Sequence, residues 1–543
     1  MIRLPHAIHL GLLALLVACG GSSDRKSSHQ RSHLLVLGWD GATFDMLDPL
    51  MRAGRLPNLA RLQAQGVSAN LESTAIPISS AAWTAAMTGV GPGANGIYGF
   101  FEPIPDSYEV RLVDSTRNQA PPLWRILNAR DRTVHVFGVP LTWPPEPVSG
   151  VMVAGMLSPP DADYAWPKGM AQRLRKTGFV PDLGTWRGTR AVYRERVLNQ
   201  LALKEQALVS LLERDDWDAA IAVFKSLDVV CHQIYDGRTE HFVADVLERL
   251  DAILGRLLEA AGPTTDVLLM SDHGFASYRL GFNLHPWLIE QGFATRSSTP
   301  SKNRGQATSP LAEQRPLAHK RRVSALNLDE TIALAGECEG NFGSIRLNLV
   351  GREPAGTVTD EQRKAVMSRI ERQLRAYAPG GTPLIEQVWQ GAQLYPGGAP
   401  AVPDLIFQVR EDHLVSAEES EAVLVRYPAP RPDHARNGVF IAAGPRIRRD
   451  DRRKRFSILD TTPTILHLMG LAVHNEMGGT VRTEICADQR PVVRTPRADD
   501  GPLRRLDEDS LTPLTKDQVD DIVTSLQSLG YVDSYEEEEG DDE

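Results

Sequence analysis

Residues 33–41 read His-Leu-Leu-Val-Leu-Gly-Trp-Asp-Gly. An apolar run too short for a helix and closed by Asp-Gly is the pattern of a buried β-strand that ends in a turn. It leaves a carboxylate, Asp40, at the carboxyl end of the strand. Thr133 to Val139, Asp218 to Phe224, Asp266 to Ser271, Asp404 to Val409 and Gly438 to Ala443 are further strand candidates of this kind. Helical spacing follows several of them: Leu47, Leu50, Met51, Leu56, Leu59 and Leu62, then Ala191 to Glu213, His241 to Ala261 and Leu459 to Leu468. Strands alternating with helices predict an α/β fold, a mostly parallel central sheet with helices on both faces. Such sheets collect ligands beyond the carboxyl ends of their strands. Asp40, Asp228 and Asp272 each follow a candidate strand, so the fold brings them to one edge.

The chain has 543 residues, more than one compact domain usually holds, and is 42% hydrophobic, enough for a substantial core. We expect the main domain to span residues 32–486. Within it, residues 297–325 are rich in Ser, Lys, Arg, Pro and Gln and read as a disordered insertion. Residues 326–400, with an apolar Ser344 to Leu349 and a helical Thr359 to Tyr377, read as a small inserted α+β lobe, after which the sheet resumes near Asp404. Residues 487–543 form a Pro- and charge-rich segment with one helix-like stretch, Thr515 to Leu529, and an acidic tail.

Of the formal net charge of −10, seven acids among the last eight residues account for −7, leaving −3 for the rest. A nearly neutral body argues against a nucleic-acid-binding surface, which needs an excess of Lys and Arg. An anionic substrate would have to be met by local charge, such as metal ions.

Met1-Ile2-Arg3 followed by a mostly apolar stretch from Ala7 to Ala18 reads as a secretory signal, too short to span a membrane comfortably. Leu16-Val17-Ala18-Cys19-Gly20 resembles the lipobox of bacterial lipoproteins. That resemblance implies cleavage before Cys19, a lipid on its sulfur, and an anchored protein of the bacterial cell envelope facing the periplasm or exterior. Gly20 resembles the pattern sorted to the outer membrane. Residues 20–31, polar and rich in Gly and Ser, would be the tether. The remaining cysteines, Cys231, Cys338 and Cys486, are widely spaced and form no CxxC pair. An oxidising envelope would allow one disulfide among them, with the pair unassigned.

Three local patterns carry chemistry. In Ser271-Asp272-His273-Gly274, a strand ending in a glycine turn can aim oxygen and nitrogen donors at one point, a set suited to zinc or manganese. Asp228 and His232 lie four apart, so a helix there would put them on one face. At the start of the helix-forming Ser79-Ser80-Ala81-Ala82-Trp83, either Ser79 or Ser80 reads by default as the N-cap. A helix start also favours a phosphate anion and a serine alkoxide. His434 precedes a strand and alone reads as a loop histidine.

In order along the chain, Trp39-Asp40-Gly41, Ser79 before Ala82-Trp83 and Thr88-Gly89, Pro92-Gly93-Ala94-Asn95-Gly96-Ile97, Asp228 with His232, Ser271-Asp272-His273-Gly274 and His434 resemble the alkaline phosphatase superfamily, within it the type I phosphodiesterase/nucleotide pyrophosphatase branch. The resemblance covers roughly Ser32 to Gly479 and implies an alkaline-phosphatase-like fold. It implies two divalent metal ions, zinc first and manganese second. One would be held by Asp228, His232 and His434, the other by Asp40, Asp272, His273 and Ser79. It implies a hydrolase of small phosphodiesters or related phosphoryl esters with Ser79 as nucleophile and a covalent phosphoserine.

The chain departs from that pattern in three places. It carries Ser79 where many relatives have threonine, Asn95 in place of a histidine, and Phe100 where relatives carry an asparagine that helps to bind a phosphoryl oxygen. Ser80, Asn95 and Lys225 are the candidate substrate contacts. The serine segment lacks the Cys/Ser-x-Pro-x-Arg pattern of sulfatases. A phosphoryl or headgroup transferase of the same superfamily and a non-catalytic envelope binding lipoprotein are the alternative readings.

Overall fold

The computed structural model describes residues 33–184, 189–214, 216–238, 241–297, 319–320, 325–398, 400–418, 420–497 and 514–528. The signal and lipobox expected over residues 1–19, the tether, nearly all of the insertion at 297–325 and the acidic tail lie outside these residues. His319–Lys320 pairs its backbone with Glu109–Leu112.

The core is a nine-stranded sheet. Its spatial order is Asp450–Ser457, Val67–Glu72, Asn437–Ala443, Asp266–Met270, Leu34–Trp39, Ala219–Phe224, Val134–Phe137, Met152–Val153 and Ala165–Trp166. All but Asn437–Ala443 and Ala165–Trp166 run the same way, giving the mostly parallel sheet expected from sequence.

Alternation along Leu34–Trp39 shows why an unbroken apolar run was needed. Leu35, Leu37 and Trp39 enter one apolar layer, with Val197, Leu201, Leu247 and Leu250 from the helices Arg190–Leu212 and His241–Ala261. Leu34 and Val36 enter the opposite layer, with Trp83, Met87 and Ile465 from Ser79–Thr88 and Thr461–Leu468. Both faces are covered, so both parities must be apolar. None of the described helices is long and apolar enough to cross a membrane. Cys231, Cys338 and Cys486 are free thiols.

One expectation is corrected. Leu405–Val409 does not rejoin the central sheet; it pairs with Phe342–Leu347 and Ile385–Gln390 in the lobe's own four-stranded sheet. The lobe therefore runs past residue 400, and the central sheet resumes at Asn437. A five-residue apolar strand does not encode which sheet buries it. A separate three-stranded sheet, His413–Ser416, Gly274–Asn283 and Leu424–Ala435, links the lobe to the central sheet.

Candidate active site

Three neighbouring parallel strands end at one edge, and their first residues beyond the sheet converge. Asp40 follows Leu34–Trp39, and its N–H donates to the Phe224 carbonyl at 3.1 Å. Ala219–Phe224 leads into the helix Ser226–Ile234, which carries Asp228 and His232 one turn apart. Asp266–Met270 leads to Asp272 and His273. His434 arrives separately, near the end of Leu424–Ala435 and opposite Phe275 in the antiparallel register. It lies in a strand rather than a loop. Ser79 is the first residue of Ser79–Thr88. Ile78, not Ser79, is the N-cap, and no side chain caps the helix; the Ser79 hydroxyl instead lies 3.1 Å from His273 Nε2.

Six of the seven residues are fully buried, and the side chain of His232 is 5% exposed. Asp228 Oδ1 lies 3.3 Å from His232 Nε2 and 3.2 Å from His434 Nε2, with the two Nε2 atoms 2.9 Å apart. His273 Nε2 lies 3.2 Å from Asp272 Oδ2 and 3.5 Å from Asp40 Oδ1, and its ring stacks on His434 with centroids 3.5 Å apart. His434 Nδ1 faces the Pro77 carbonyl at 2.7 Å and His273 Nδ1 the Gly274 carbonyl at 3.1 Å. A carbonyl only accepts, so each Nδ1 is placed to donate, which leaves each Nε2 on the side of the carboxylates.

That donor set fits divalent cations. Asp40 Oδ1, Asp228 Oδ2 and both oxygens of Asp272 are buried and accept no hydrogen bond. Each such orphan costs about 1–3 kcal/mol, more when charged. Asp228, His232 and His434 form one group, and Asp40, Asp228 and His273 another, whose ligand atoms lie within 4.8 Å of one another. Asp228 belongs to both. Asp272, expected beside Asp40 and His273, stands outside the second trio, 3.2 Å from His273 Nε2.

The electrostatics carry the same strain. Burial, then repulsion from Asp228, raises the Asp40 carboxyl to about 7, against the pull of Lys225. Burial and the charges of Asp40 and Asp228 push Asp272 well above the usual carboxylate range. Burial would raise Asp228 too, but His232, His434 and Lys225 outweigh it and hold that carboxyl well below its ordinary value. Burial lowers both His232 and His273, keeping them neutral ligand-type imidazoles. Without cations, burial and mutual repulsion favour the protonated forms of Asp40 and Asp272.

Second contacts fix this geometry, and sequence reading assigned none of them. Trp83 Nε1 donates to Asp40 Oδ2 at 2.8 Å. Gly38 makes that approach feasible, because a Cβ there would stand 2.3 Å from the Trp83 ring. Ser271 Oγ accepts from Ala42 N at 2.9 Å and donates to the His273 carbonyl at 2.6 Å, tying two of the loops together. From the lobe, Glu339 places Oε1 3.3 Å from His434 Nδ1, and Asp433 Oδ1 accepts from both Gly340 N and His434 N. Trp83 sits one turn from Ser79, a spacing that could have flagged it; nothing local marks Glu339. Trp83→Phe keeps the ring but leaves Asp40 Oδ2 without its donor. We expect metal affinity to fall about 10- to 100-fold, read by titration against a competing chelator.

The three candidate substrate contacts fare differently. Asn95 Nδ2 donates to the Val90 carbonyl and its Oδ1 accepts from Ile97 N, so the amide braces its own loop. Ser80 Oγ is buried beside the nucleophile position without a hydrogen-bond partner. Lys225 holds Nζ 3.8 Å from Asp228 Oδ2, at the rim of the cluster. Phe100 is buried in the apolar core.

A family profile described as "Type I phosphodiesterase / nucleotide pyrophosphatase" matches residues 34–438. No curated protein sequence matches the chain significantly. Among solved structures, a murine ectonucleotide pyrophosphatase/phosphodiesterase 5, an inactive form in complex with AMP, is similar at a TM-score of 0.52 and 12% identity, covering 84% of this chain and 100% of that one. Phosphonoacetate hydrolase from Sinorhizobium meliloti 1021, in complex with phosphonoacetate, is similar at a TM-score of 0.54 and 16% identity, covering 81% and 95%. At these identities the likeness is one of fold.

Proposed function

Since the chain belongs to the type I phosphodiesterase/nucleotide pyrophosphatase family, we propose that it hydrolyses phosphodiesters or related small phosphoryl esters through a covalent phosphoserine on Ser79 at a two-metal site. The observation that carries this reading is the Ser79 hydroxyl, at the start of a helix and 3.1 Å from His273 Nε2, an imidazole whose neighbours Asp40 and Asp272 carry buried oxygens without donors.

Asp228, His232 and His434 would hold one cation, and Asp40, Asp272 and His273, with Ser79, the other; zinc is the first choice for this nitrogen and oxygen set and manganese the second. Bound cations would lower the pKa of the serine hydroxyl and neutralise phosphoryl charge. Ser79 Oγ attacks phosphorus, the ester P–O bond opposite breaks, and the alcohol leaves with the serine proton. Water then cleaves the Oγ–P bond, returning the hydroxyl and releasing the phosphoryl product. The first-turn N–H groups of Ser79–Thr88 favour the anion throughout. Lys225 and Ser80 are the proposed side-chain contacts to phosphoryl oxygens. Cys19, within the lipobox-like stretch, would carry the lipid that holds the enzyme on the envelope.

The test is hydrolysis of bis-p-nitrophenyl phosphate by the purified protein, lost with chelator and restored by Zn²⁺ or Mn²⁺. No bound divalent ion together with no activity on any phosphoryl ester would remove the proposal.

A further inference from the structure

A pocket of about 50 Å³, open to solvent, lies next to the carboxylate and histidine cluster, with Lys225 in its lining. It lies beyond the carboxyl ends of Val134–Phe137 and Ala219–Phe224, on the same sheet edge as the site. Lys204 enters it from the helix Arg190–Leu212. Its ammonium lies 5.2 Å from the Phe137 ring centroid and 4.8 Å from that of Phe224, and donates to the Val223 carbonyl. Gly138, at φ 72°, makes the space: a Cβ there would lie 2.3 Å from Nζ. Lys225 lines the same pocket while standing 3.8 Å from Asp228 Oδ2, so the two spaces share a wall.

The rest of the pocket suits a ligand with an organic stem. Met156 and Phe179 line it with apolar surface, and Gln200 pins the outer loop by donating to the Gly178 carbonyl and accepting from Val180 N. Asp182, the carboxylate among the lining residues, accepts from Leu157 N, while Lys225 stands against Asp228 and Lys204 has no carboxylate within salt-bridge distance among the described residues. A neutral carbonyl and two ring faces do not neutralise the Lys204 charge, and burial pushes that amine down to about 7 against the pull of Asp40. Nothing in the hydrolase reading uses Lys204. An amine held so by the fold, in a pocket open to solvent, is placed to pair with an anion, whose arrival favours its charged form.

We propose that this pocket is a second anion subsite, taking a carboxylate or phosphate borne on the organic part of the ester, paired with Lys204 and, at the border, Lys225. The assignment rests on the hydrolase reading for the place of the phosphoryl group. Val134–Phe137 stands two strands from Leu34–Trp39, about 10 Å at the usual strand spacing. The anion and the phosphorus are therefore separated by several bonds.

Three p-nitrophenyl phosphodiesters test this, with second alcohols of equal length ending in a methyl, a carboxylate or a phosphate. An anionic end should raise kcat/KM about 10-fold or more over the methyl end, as expected for one charge-assisted contact. In Lys204→Met, whose apolar chain suits the two phenyl rings, that ratio should collapse toward one. Whichever anion gives the larger ratio identifies the group. Calorimetric titration with adipate and with 1,4-butanediol bisphosphate, without any ester, gives a readout independent of turnover; binding should weaken about 10-fold in Lys204→Met. If no ester is cleaved, the hydrolase reading fails while the titration still decides the subsite. Equal kcat/KM for all three esters, an unchanged ratio in a folded Lys204→Met, or no wild-type binding heat with either probe would overturn it.

Discussion

Ser79→Ala is expected to lower kcat for bis-p-nitrophenyl phosphate by about 10⁴-fold or more, with the substrate and metals still bound. A group that forms a bond to the reacting atom contributes only along the reaction path, so its loss falls on kcat rather than on KM. The neighbouring hydroxyl offers no rescue. Ser80 is the next helical residue, about 100° around the axis, and it is the Ser79 hydroxyl that lies 3.1 Å from His273 Nε2. Ser79 Oγ occupies the position beside His273 Nε2 because it does not cap the helix it begins. The check is single-turnover kinetics with metal content measured on the same sample. Retention of more than a few per cent of the wild-type rate at full metal content would mean that water, not serine, attacks phosphorus.

Removal of divalent metal is the second large effect, and its pH dependence has a definite sign. Asp40 in the metal-free fold titrates near 7 instead of near 3.8, and Asp272 is raised as well, in both cases chiefly by burial. A carboxyl raised on folding contributes stability that is fully present below its unfolded pKa and lost as pH rises through its folded value. Cation binding replaces those protons, so that loss belongs to the metal-free protein alone. The difference in Tm between loaded and metal-free protein should therefore widen from about pH 4 to about pH 7. Metal affinity should rise over the same range, by about tenfold per pH unit for each proton displaced. His232 and His273, already held neutral, add no proton of their own above their ordinary range. Thermal scans with and without chelator, and calorimetry in buffers of different ionisation enthalpy, measure both. A difference in Tm that narrows toward neutral pH would show that the carboxylates do not hold protons in the metal-free fold.

How much of this was legible in the sequence depended on whether a residue's role was local. Leu34–Trp39 could be read because both its faces are buried and every position had to be apolar. Asp228 and His232 could be paired because the helical repeat puts i and i+4 on one face, and the helix Ser226–Ile234 exists. The edge strand Asp450–Ser457, which reads Asp-Asp-Arg-Arg-Lys-Arg-Phe-Ser, gave no strand signal: charges at a sheet edge resist unwanted pairing and hide the strand from an apolar pattern. Leu405–Val409 was visible as a strand but not its partners, since its apolar run satisfies either sheet equally. Asn95 looked like a substitution at a functional position, yet both ends of its amide are occupied within five residues. Lys204 was invisible, because an unremarkable lysine within a long helix acquires meaning only from Gly138, sixty-six positions away, leaving room for it.

The lobe's hold on His434 has a kinetic meaning. Glu339 ends the first strand and Gly340 begins the turn of the hairpin Ala333–Glu339/Phe342–Leu347; Glu339 meets the His434 ring, and Gly340 N shares Asp433 Oδ1 with the His434 amide. Tyr278 closes the other side by donating to the His434 carbonyl. His434 therefore cannot swing out of the cluster until that hairpin lets go, and local opening of the site is paced by a segment almost a hundred residues upstream. An insertion that supplies no ligand of its own thus sets how long the assembled site lasts between openings.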